Sequence, residues 1–178
     1  MPALMMKLTH QAEETLRRRF PQEEDLRWVG ELAAREGWST ANRRYLESKR
    51  EQGVQEMSVL MDVLGLSGIT SDEEALELLA TAVSVYLPEA EVALVSDEVG
   101  RPGLLIRVKE CPTYARIEAS DWHGVTACGS WHRRQGWYQA LGVNAVDIVV
   151  GEKKWGDVAC AALVKFPGAA PGERKGSW

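Results

Sequence analysis

The sequence predicts an α+β fold: an N-terminal helical region packed with a small antiparallel sheet of about four strands crossed by a helix. Three observations predict it. Apolar residues before Pro88 recur at helical spacing, and those after it fall into short runs rich in Val, Ile and Leu. One long stretch, GVTACGSWHRRQGWYQALG, breaks those runs and reads as a helix.

In chain order, Leu26, Val29, Leu32 and Ala33 mark one amphipathic helix, and Met57, Leu60, Met61 and Leu64 a second that stops at Gly65. Ser71 with Glu74 three residues later is a capping box, and LELLATAVSVYL supplies the buried stripe of the helix it opens. That helix ends by Pro88. Next come the strands EVALVSD and GLLIRVKE, the helix from Cys128 to Leu141, and the strands AVDIVVGE and VACAALVKF joined by a hairpin over Lys153 to Asp157. Residues 1–88 therefore form a helical region, 89–166 a sheet region carrying all three cysteines, and 167–178 a Pro/Gly-rich flexible tail. The Met and Leu stripe from Met57 to Leu64 and Leu76 to Val85 exceeds what one small sheet covers, which predicts a homodimer.

Composition bounds the function. With 178 residues, 45% apolar and 26% charged, the chain is long enough to bury a real core. A net charge of −5, with basic residues in short clusters such as Arg17 to Arg19, argues against nucleic acid as a partner. No stretch reads as a signal-peptide core or a membrane span, so a cytoplasmic protein with no membrane contact is expected. The phosphate-loop, dinucleotide and zincin motifs do not occur. No cofactor is indicated.

The chemistry concentrates around the cysteines. Cys128 opens a predicted helix, where unpaired amides favour a thiolate, and His132 lies one turn on as a base, with Asp157 as a second proton carrier. Arg133 and Arg134 offer paired N–H donors to a substrate carboxylate. Cys111 precedes Pro112 at a strand end, where the proline halts the ladder, and alternation sets Cys160, Ala162 and Val164 on one face of the last strand. A single free cysteine is most often a small buried core residue. Gaps of 16 and 31 residues between the cysteines lack the close pairs of structural zinc sites, so no metal is expected.

Cys111-Pro112, Cys128 and Gly156-Asp157-Val158-Ala159-Cys160, behind an amphipathic start LRWVGELAAREGWSTANRRYLE, resemble the L-2-amino-thiazoline-4-carboxylic acid hydrolase-like family and its uncharacterised relatives. The resemblance implies hydrolysis of a cyclic C–N bond in a small carboxylate-bearing heterocycle. The Gly-Asp-x-x-Cys ending also resembles four-vinyl-reductase-like domains, which implies a small-molecule-binding or sensor domain instead.

Two expectations follow for a small-molecule ligand. In the enzyme, Cys128 is the nucleophile, His132 or Asp157 moves the proton, and Arg133 or Arg134 holds the carboxylate. In the binding domain, Trp122, Trp131, Trp137 and Tyr138 line an apolar pocket, with cysteines as packing and polar residues fixing the ligand's orientation, and Cys111 and Cys160 count with the substrate-binding residues.

Overall fold

Pro88 separates two kinds of architecture. The computed structural model describes residues 6–20, 26–96, 98, 100–119, 129–153 and 156–167. Among these, helices α1 (His10–Arg19), α2 (Arg27–Glu36), α3 (Trp38–Leu64) and α4 (Asp72–Tyr86) precede strands β1 (Ala90–Ser96) and β2 (Pro102–Val108). Helices α5 (Pro112–Ala119) and α6 (Gly129–Leu141) and strands β3 (Val146–Gly151) and β4 (Cys160–Lys165) follow. The fold is α+β, with a four-stranded antiparallel sheet in the order β1-β2-β4-β3.

Local chemistry explains where the helices begin and end. Ser71 Oγ accepts the Glu74 N–H at 3.1 Å, as a capping box requires, but the Glu74 carboxylate turns to the Thr70 amide and hydroxyl, each at 2.7 Å. Those two hydrogen bonds lower its pKa. At the other end of α4, Arg17 reaches across from α1 and donates to the carbonyls of Val85 and Ser84, which have no intrahelical partner. Helix α3 stops where expected: Gly65 takes a left-handed φ of 69° and the Leu66 amide donates back to the Met61 carbonyl at 2.9 Å.

Two elements differ from the sequence reading. Helix α3 begins at Trp38 and runs 27 residues, so the Met57 to Leu64 segment is only its last turns. Pro112 does not end a strand, since β2 stops at Val108; it starts α5, with Cys111 as the residue before it, because a proline at the first helical position loses no hydrogen bond. The last helix matches expectation from Gly129 to Leu141, while Cys128 lies outside the described residues, as does the tail beyond 167.

The core lies between α4, α3, α6 and one face of the sheet. Leu76, Leu78, Leu79, Val83 and Val85 of α4 and Met57 and Leu60 of α3 are all at most 1% exposed. Each such side chain contributes about 1.5–3 kcal/mol by burial. This is the stripe that motivates the expected homodimer, and the chain's own sheet and helices consume it. Among the apolar residues left exposed, Val146, Ile148 and Val150 of edge strand β3 are 42 to 62% exposed on the other side of the sheet, while Trp28, Trp38 and Val63 are exposed on α2 and α3.

Helices α3 and α6 cross at close range because glycines remove side chains from the contact. A Cβ on Gly53 would strike the Arg133 carbonyl, and one on Gly136 would strike the Arg50 carbonyl. Backbone cannot swing aside as a side chain does. Gly136→Ala should therefore cost about 1–3 kcal/mol in urea unfolding, while Gly68→Ala, with open space around it, should stay within about 0.5 kcal/mol.

Candidate functional site

Helix α6 carries polar and aromatic residues all round because it is buried on two sides. One side, Gly129, Arg133, Gly136 and Trp137, meets α3; the other, Ser130, Trp131, Arg134 and Tyr138, meets the sheet and the space beside it. The two arginines point in opposite directions, and each finds an internal carboxylate.

On the α3 side, Glu56 is fully buried and both of its oxygens are satisfied. Arg133 donates to Oε2 through Nε at 2.7 Å and to Oε1 through Nη2 at 2.6 Å. Trp137 Nε1 and Gln52 Nε2 add hydrogen bonds at 3.0 and 2.7 Å, and Lys49 donates to Gln52 Oε1. The guanidinium also faces the rings of Tyr86 and Trp137, 5.8 and 5.9 Å from their centroids. The Tyr86 hydroxyl donates to the Glu56 backbone carbonyl, and burial, then the Glu56 charge, pushes its pKa up.

On the sheet side, Asp147 of β3 turns inward, its side chain wholly shielded. Its Oδ1 accepts from Arg134 Nε at 3.0 Å and from the Tyr138 hydroxyl at 3.1 Å. Burial is also the main cause that raises the Tyr138 pKa.

Beyond Arg134 the helix and the sheet part to leave a cavity of about 60 Å³. Its walls are Ile106 and Val108 of β2, Val149 and Gly151 of β3, Cys160 to Ala162 of β4, Ser130, Trp131 and Arg134 of α6, Leu87 and Glu89 after α4, Glu152, and Cys111 before α5. Strand register explains the sheet wall: Val108 pairs with Cys160 and Ile106 with Ala162, so four side chains from two strands share one face. Small residues on β4 keep the space open.

The structure thus separates residues that the sequence grouped together. Cys111, Cys160, Trp131 and Arg134 do meet at one cavity. Arg133 gives its paired donors to Glu56 instead of a substrate carboxylate, and Arg134 gives its Nε to Asp147. Trp137 and Tyr138 are 0 and 5% exposed and belong to the core rather than a pocket wall. His132 is half-buried on α6. Asp157 is exposed and its Oδ2 accepts the Glu152 N–H at 2.8 Å, closing the turn between β3 and β4. Cys128 and Trp122 lie outside the described residues. Among the described residues no group of three His, Cys, Asp or Glu side chains is placed to hold a metal ion, and no helix is long and apolar enough to cross a membrane.

Sequence reasoning passed over Glu56 and Asp147. Glu56 had a signal, standing beside Met57 on an apolar helix face. Asp147 had none: the alternation in AVDIVVGE sets Val146, Ile148 and Val150 as the inward set and Asp147 outward, and the structure reverses it.

The fold and cavity define an α+β protein with a small apolar chamber between its sheet and a central helix. No family model matches the chain, and no curated protein does. Among solved structures it is similar to trafficking protein particle complex subunit 3 from Naegleria fowleri covalently bound to palmitic acid, with a TM-score of 0.51 and 13% identity. That match covers 88% of this chain and 95% of the other. At such low identity the likeness concerns the fold alone.

Glu56→Ala should destabilise the protein by about 3–5 kcal/mol, because it leaves Arg133 charged and buried without its carboxylate. The pair replacement Glu56→Met with Arg133→Met should recover much of that loss in the same denaturant titration. A second outcome concerns alkaline pH. Unfolded phenols ionise near 10.0 while Tyr86 and Tyr138 resist ionisation in the fold. Above that value the unfolded chain holds fewer protons, so stability should fall as pH rises from about 10, as guanidinium unfolding from pH 8 to 11 would record.

Proposed function

We propose that this chain is a binding module for a small apolar molecule, or for the apolar group of a larger one, held between α6 and the sheet. One observation carries the reading: the cavity walled by Ile106, Val108, Val149, Ala161 and Ala162 on the sheet side and Trp131 on the helix side. Chambers lined mainly by apolar groups with a few polar ones at their margin are the usual form of small-molecule sites. The commitments of Arg133 and Arg134 to Glu56 and Asp147 support binding over a hydrolase built to grip a carboxylate.

The structural neighbour, which carries palmitic acid covalently, supports the idea that such a fold can hold an apolar ligand. Size separates the two. A dry cavity of about 150 Å³ accepts benzene or xenon, so one of about 60 Å³ takes a few non-hydrogen atoms rather than a long acyl chain.

Xenon is the matching probe. NMR of the protein under xenon pressure should show saturable shifts confined to residues around Ala162 and Val149, and Ala162→Leu, which fills the chamber, should abolish them. Absence of saturable shifts, or shifts indifferent to Ala162→Leu, would remove the reading. The hydrolase alternative needs Cys128 as nucleophile, and it forecasts that Cys128 reacts with iodoacetamide faster than Cys111 and Cys160 at neutral pH.

A further inference from the structure

We infer that β3 is a self-association surface, pairing antiparallel with β3 of a second copy of this chain across a two-fold axis at Ile148. The pairing joins two four-stranded sheets into one of eight strands.

The free edge of the sheet is the starting observation. Strand β3 stands last in the strand order and, among the described residues, hydrogen-bonds to β4 alone, so the N–H and C=O groups along its other side meet no strand. Folded proteins guard such edges with charged side chains, because an open ladder is a template for another chain. Strand β1, at the opposite edge, is guarded: its Glu91 carboxylate accepts from Lys109 Nζ at 2.7 Å. Strand β3 is not. Its Val146, Ile148 and Val150 are 42, 47 and 62% exposed, and none of them joins an apolar cluster of the described residues. The one charged side chain of β3, Asp147, turns to the other face, where Arg134 and Tyr138 hold it.

These features select a second copy as the occupant. An antiparallel strand is its own complement, because a two-fold axis sets each backbone donor against an acceptor of an identical chain. The order Val146-x-Ile148-x-Val150 reads alike in both directions. An axis at Ile148 therefore sets Ile148 against the partner's Ile148 and Val146 against the partner's Val150, all apolar cross-strand pairs. An axis one residue earlier would oppose two Asp147 carboxylates, so charge fixes the register. Val150 gains most, since the ladder to β4 slips between Val149 and Gly151 and leaves it without a partner there. With a net charge of −5 on each chain, two copies repel one another at a distance, and this uncharged strip is where they can meet. Six residues make a small interface, and such interfaces are weak and reversible. Because β3 also supplies Val149 and Gly151 to the chamber wall, the dimer sets two chambers on one continuous sheet.

Sedimentation equilibrium of the full chain from about 1 µM to 1 mM, the span over which a small interface dissociates, tests this. The mean mass should rise from 19.8 kDa toward twice that value. Ile148→Lys puts two ammonium groups at the axis and should raise the dissociation constant about 100-fold or more. Two control variants, Leu94→Lys on β1 and Val63→Lys on α3, change residues exposed to a similar degree and should dimerise as the parent does. Circular dichroism checks that each variant is folded, and Val150→Lys replaces Ile148→Lys if that variant is not. Hydrogen exchange should slow with concentration at the amides of residues 146–150 and stay constant in β1. The inference is overturned if the mass stays at 19.8 kDa throughout, if a folded lysine variant of β3 dimerises as the parent does, if either control variant abolishes the dimer, or if the β1 amides are the ones that slow.

Discussion

A carboxylate with no access to water governs the centre of this molecule. Glu56 is fully shielded, and an isolated charge there would be prohibitively costly. Its four hydrogen bonds, two from Arg133 and one each from Trp137 and Gln52, make the position tolerable. They do so only at one relative setting of α3 and α6. Sliding either helix by a turn would strand both charges in the apolar interior, and the same slide would drive the glycine contacts at Gly53 and Gly136 into backbone. Electrostatics and sterics therefore specify the same crossing.

With α6 held against α3, its other side is presented to the sheet at a set distance. Arg134 and Tyr138 tie that side to Asp147 of β3, which leaves the beginning of the helix standing over the smallest residues of β3 and β4. The chamber is thus a consequence of where the large side chains stop. Gly151 and Ala162 do not reach the helix, and Trp131 roofs the gap they leave. An occupant of such a gap need not disturb the Arg133–Glu56 pair, which faces α3, whereas the Arg134–Asp147 pair borders the chamber through Arg134.

Much of this was legible in the chain. The change of hydrophobic period at Pro88, the Ser71 cap, the Gly65 stop and the shared face of Cys160, Ala162 and Val164 all rest on local rules that tertiary structure did not override. The full length of α3 was not legible, because its middle turns are polar and include Gly53, a poor helix former. Helix α5 escaped because cysteine is an unusual cap and the proline after it reads equally well as a strand stop. At the site, the sequence brought Cys111, Cys160 and Trp131 to one place but could not say what Arg133 and Arg134 faced. Their partners stand 77 residues before and 13 residues after them, respectively, and one helical or strand position separates a buried carboxylate from a solvated one.

The strand order has a bearing on how the molecule is made. Strands β1 and β2 are neighbours in sequence and in space, so they can pair as soon as they are synthesised. Strand β3 comes next in the chain but hydrogen-bonds only to β4, which inserts between it and β2. Until the residues from Cys160 onward have left the ribosome, β3 has no place in the sheet and Asp147 has no settled position beneath Arg134 and Tyr138. The two halves of the sheet, and the chamber they wall, are joined by the last strand to emerge, so a nascent chain halted before it carries an unpaired Val-Ile segment and no chamber.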